Sequence, residues 1–166
     1  MRALISEGTT ITTSERLEPA GLRTIRRLML LLLLVAMIGT ATDLMLLDHH
    51  EDFWQMVPLG VIALGVAAAA AAARGRRAAV ALMRVVMGLF VVAGLLGIGL
   101  HYLGNREFQH EMDPGLQGWS LFVKVVTAKA PPALAPAAMI QIGLLGLLFT
   151  YQHPALRRTE SERSGA

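Results

Sequence analysis

Leu28–Asp52 reads LMLLLLLVAMIGTATDLMLLDHHED. Its first 20 residues, through Leu47, carry a single charge, Asp43, near the far end. A helix of that length rises about 30 Å, the thickness of a bilayer's hydrocarbon core. The stretch runs from a basic flank (Arg23, Arg26, Arg27) to an acidic one that bears two histidines (Asp48, His49, His50, Glu51, Asp52). A membrane span with a built-in direction is expected here, and its polarity sets how the rest of the chain threads the bilayer.

The composition agrees. With 54% hydrophobic residues, 16% charged residues and a mean hydropathy of +0.53, the 166-residue chain is too apolar for a soluble domain of its size. The absence of cysteine excludes disulfides, thiolate metal sites and cysteine nucleophiles. A sequence pI near 10 would suggest nucleic acid in a soluble protein. Here the cations sit beside apolar runs, where they orient the chain and meet anionic lipid, so no nucleic-acid partner is expected.

Outward from the first span, residues 1–22 are polar and rich in Thr and Ser, and are expected to form a mobile cytoplasmic arm. The small residues of GTATD offer a signal-peptidase-like site near Ala41. Yet the polar leader is about as long as a whole signal peptide, and the apolar run resumes at Leu44–Leu47, so a retained anchor is expected. The further spans are read at about 57–73, 78–100 and 133–151, followed by a cytoplasmic tail from 153 to 166. Pro58 opens the second span, where a first helical turn tolerates its missing donor. Arg74, Gly75, Arg76 and Arg77 form a turn so short that spans two and three must be antiparallel neighbours. Arg84, about 9 Å into the third span, is within snorkelling reach of the interface. Residues 101–132 then form a long outer loop. Its second half has Leu116, Trp119, Val123 and Val126 at helical spacing, as in a short interfacial helix, although its Val-Lys-Val-Val-Thr run also suits a strand. In the last span, the lone amide of Gln141 is expected to hydrogen-bond a neighbouring helix. The fold expected is all-α: an integral membrane four-helix bundle with a long outer loop between spans three and four.

The distribution of cations gives the orientation. The arm, the Arg74–Arg77 turn, Arg84 and the tail hold twelve Lys and Arg, against three (Arg106, Lys124, Lys129) in the other two loops. Such an alternation predicts both termini in the cytoplasm of a plasma membrane, as in a bacterial inner membrane. The opposite face is acidic and holds four of the five histidines.

Any chemistry is therefore expected at the outer end of the bundle. If span one packs beside span three, His50 and His101 reach the same membrane face, with Asp43 a turn below and His49 turned away. His110 and Glu111 in the loop are possible additional ligands. Imidazoles with carboxylates suit zinc or copper, and nearby methionines favour copper(I). Haem would need histidines from two helices, for which His50 and His101 are the pair. The bland alternative is a set of polar helix ends in water. The sequence has no Ser-His-Asp set, nucleotide loop or His-x-x-x-His zinc spacing. Gly39, Gly60, Gly65, Gly94, Gly97, Gly143 and Gly146, with the alanines, supply more close-approach surface than one four-helix bundle needs. The first expectation is thus a non-enzymatic accessory or assembly subunit that meets other membrane subunits or further copies of itself. The second is an outward-facing metal- or haem-binding redox protein.

Overall fold

The structure, a computed structural model, describes residues 20–48, 53–129 and 133–157. Among them no strand occurs, and five helices follow in order: α1 (Ala20–Leu46), α2 (Phe53–Ala72), α3 (Arg77–Met112), α4 (Gly118–Val126) and α5 (Leu134–Thr150). The helices α1, α2 and α3 are long and apolar enough to cross a membrane, and α5 is a shorter apolar helix. The molecule is an all-helical membrane bundle.

The helices pack as a square. α1 touches α2 and α5, α3 touches α2 and α5, and α4 touches α3 alone. Among the described residues α1 and α3 have no backbone contact, so they occupy opposite corners. The adjacency of spans one and three that the outer-cluster expectation assumed is therefore replaced by a diagonal arrangement. The reason lies in the glycines. A Cβ built on Gly94 would stand 2.7 Å from the Pro136 carbonyl oxygen, and one on Gly143 would stand 2.7 Å from the Met87 carbonyl oxygen. Gly146 is pressed equally hard against the Met87 side chain. α3 and α5 each present glycines to the other, so their backbones approach most closely and α5 takes the place beside α3. Between the four long helices lie Leu33, Met37, Met83, Met87 and Phe90, all fully buried.

Three helix boundaries move from their expected places. α1 begins at Ala20, eight residues ahead of the apolar run, so the basic flank is helical. α2 begins at Phe53, which places Pro58 in its second turn, where the missing N–H leaves the Trp54 carbonyl without its helical donor. The largest change is in α3, whose 36 residues rise about 54 Å and continue through the stretch read as the polar start of a loop. Polarity ends a membrane span but not a helix. Leu103, Arg106, Glu107, Gln109, Glu111 and Met112 are all good helix formers. The stop comes at Asp113-Pro114-Gly115, where Asp113 turns extended ahead of the proline and its Oδ1 accepts from the Gly115 N–H at 3.1 Å.

The second half of that connection is helical, as its apolar spacing suggested. α4 buries Leu121 and Val125 against α3, and Phe122 lies 6.2 Å from the Tyr102 ring. Trp119, stacked on Phe122, stays exposed. At the other end of the bundle Arg26 does more than flank the membrane. Its guanidinium donates to the carbonyl oxygens of Phe149 (2.6 Å), Tyr151 (3.3 Å) and Gln152 (3.3 Å). It thus satisfies the open carbonyl end of α5 and places a cation at the negative pole of that helix.

Candidate functional site

At the end of the bundle away from the Arg74–Arg77 turn, α1, α2, α3 and α5 meet around one small cavity of about 50 Å³. α1 contributes Thr40 and Leu44, α2 contributes Pro58, α3 contributes Ala93, Gly97 and His101, and α5 contributes Ala135, Pro136 and Met139. Each wall has a local cause. Gly97 lacks a side chain where Pro136 comes within 3.1 Å of its would-be Cβ, and the two prolines add rigid apolar rings. His101 follows Gly94 and Gly97 on one face of α3, as the spacing i, i+3, i+7 dictates. Among the lining residues it is the one ionisable group. The cavity can therefore present one imidazole, at the rim of an otherwise mostly apolar space. Its volume suits a water or two and is far below that of a porphyrin, so haem between these helices would require the bundle to part.

The other expected site residues fall elsewhere. Asp43 is exposed while its neighbour Leu44, about 100° around the helix, is buried. It does not line the cavity, and its carboxylate makes no hydrogen bond among the described residues. His49 and His50 lie outside the described residues. His110 and Glu111 belong to α3 itself. On a continuous helix His110 stands about 14 Å beyond His101 and half a turn around from it, so the two cannot share an ion. His110 shares a shallow groove with Leu103, Arg106 and Glu107, all on the C-terminal stretch of α3. Among the described residues no three His, Asp or Glu side chains gather closely enough to hold a metal.

The feature missed from sequence is Gln141. It was expected to bond a neighbouring helix, but it is exposed on the surface of α5 and makes no hydrogen bond among the described residues. The signal was present in the register: Gly143 and Gly146 fix the inward face of α5, and Gln141 lies off it. No protein-family model matches the chain, and no curated protein or solved structure matches it either.

Proposed function

We propose that this protein is a four-span subunit of a plasma (bacterial inner) membrane, with both termini cytoplasmic, acting as a non-enzymatic accessory or assembly component of a larger membrane assembly. The orientation is supported by the twelve-to-three distribution of Lys and Arg. The assembly role is carried by what remains open on the bundle surface. Five of the seven glycines singled out from sequence (Gly65, Gly94, Gly97, Gly143, Gly146) are consumed by contacts within the bundle, whereas Gly39 and Gly60 face open space. The argument from surplus glycines therefore narrows to α2, where Gly60, Ala63, Ala67 and Ala70 form an exposed row at i, i+3, i+7 and i+10. Lipid gains nothing from such a row, while another helix gains close contact. The exposed carboxylate of Asp43 on the adjoining helix adds a polar group that lipid does not satisfy.

Purification in a mild detergent, followed by native mass measurement, tests this. The wild-type chain is expected above its 17.9 kDa protomer mass after detergent is removed, and Ala63→Leu with Ala67→Leu to shift it towards the protomer without loss of helicity. A wild-type chain that runs as a lone protomer would contradict the proposal. The second reading, an outward-facing metal site, is favoured by one observation: His101 and the outer end of α1 line the same cavity. Metal content and a visible spectrum of the same preparation separate the two.

A further inference from the structure

Gln141 is the eighth of the 17 residues of α5, at least about 10 Å from either end of the helix. Met139, Ile142, Gly143, Gly146 and Phe149 turn into the bundle, while Gln141, Leu144 and Leu148 are exposed. The amide has two N–H donors and a carbonyl acceptor, and none is used among the described residues. At the middle of a spanning helix it faces hydrocarbon, where an unmet amide is costly and water and headgroups are out of reach.

We propose that the outer face of α5 docks a second copy of this chain, with the two Gln141 amides hydrogen-bonded to each other across a two-fold axis along the membrane normal. Two properties select a second copy as the occupant. An amide is its own complement, because each carbonyl accepts from the other's N–H₂, as an isologous contact requires. Two copies inserted in the same direction also place Gln141 at the same depth without further adjustment. Leu144 and Leu148, one and two turns along the same exposed face, supply the flanking van der Waals contact. This inference rests on the four-span proposal, because it needs α5 to cross the bilayer.

The chain lacks cysteine, so single cysteines report cleanly. Donor- and acceptor-labelled Ser164→Cys protein is reconstituted into vesicles over a series of lipid dilutions, and energy transfer gives the dimer dissociation constant. Gln141→Leu is expected to weaken self-association roughly 3- to 30-fold, the range of interhelical hydrogen bonds in membranes. Gln141→Asn should retain most of it. In parallel, Leu144→Cys should form an interchain disulfide, whereas Leu95→Cys, exposed on α3, should not. Energy transfer that is absent at every dilution, or unchanged by Gln141→Leu, would overturn the proposal. So would equal crosslinking at positions 144 and 95. Failure of the span itself shows differently: Leu144→Cys in sealed vesicles would then react with a membrane-impermeant thiol reagent.

Discussion

Gly143→Ala is expected to destabilise the bundle by about 2–3 kcal/mol, although it adds a single methyl group. That methyl would stand 2.7 Å from the Met87 carbonyl oxygen, 2.7 Å from Val91 Cγ2 and 3.0 Å from Phe90 Cβ. A side-chain end can rotate away, but a backbone carbonyl in the middle of α3 cannot, so the two helices must separate. Gly94→Ala should behave alike, because its methyl meets the Pro136 carbonyl oxygen and the Ile140 N–H group from the opposite helix. Hydrocarbon around the bundle is as apolar as its interior, so close packing carries much of the association of α3 and α5. Gly39→Ala is the control, since nothing lies within 4 Å of the added atom. It should be neutral, or stabilising by up to about 1 kcal/mol through helix propensity. Unfolding in a denaturing-detergent titration compares the three. Equal stability of Gly143→Ala and Gly39→Ala would contradict the α3–α5 contact.

Phe90→Ala should cost about 3–5 kcal/mol, the usual range for deleting a buried aromatic side chain. Phe90 is fully buried, and its ring lies where a Cβ on Gly65 of α2 would be, 2.6 Å from Cε2. On its other side its own Cβ faces Gly143 of α5, so one residue ties α3 to both neighbours. The contact predicts coupling as well as loss. Gly65→Ala should destabilise the wild-type protein and cost less in the Phe90→Ala background, where the ring is gone and only the flexible Met37 Sδ, 2.8 Å from the added methyl, still presses on it. A double-mutant cycle measures this, and additive effects of the two substitutions would contradict the contact.

Much of the fold was legible because membrane crossing is a matter of length and apolarity, which a sequence displays directly. The apolar runs at Leu28, Val57 and Ala78 all begin inside α1, α2 and α3, and the helical spacing of Leu116, Trp119, Val123 and Val126 marked the region of α4. Hydropathy was silent where helix and span part company. The arginines from Arg23 to Arg27 and the polar residues from His101 to Met112 are helical although no lipid demands it. Asp113-Pro114-Gly115 was the available stop signal for α3. Which helices would be neighbours was also readable in principle. Gly94 with Gly97 on one span, and Gly143 with Gly146 on another, are matching surfaces, and pairing them puts α5 beside α3. Placing span one beside span three, as convergence of His50 and His101 required, gave the wrong neighbour. Of the outer cluster, His101 reaches the shared cavity and Asp43 faces away from it, a difference set by helical phase.

The central claim is that the chain crosses the membrane four times with both ends on one side, and single-cysteine labelling tests it most directly. Ser6→Cys, Arg76→Cys, Gln109→Cys and Ser164→Cys each introduce the sole thiol of the protein. Arg76 lies in the turn between α2 and α3, and Gln109 near the outer end of α3. In intact cells an impermeant thiol reagent should label position 109 alone, and all four positions should react after permeabilisation. Labelling of position 6, 76 or 164 in intact cells, or protection of position 109, would contradict the proposed topology.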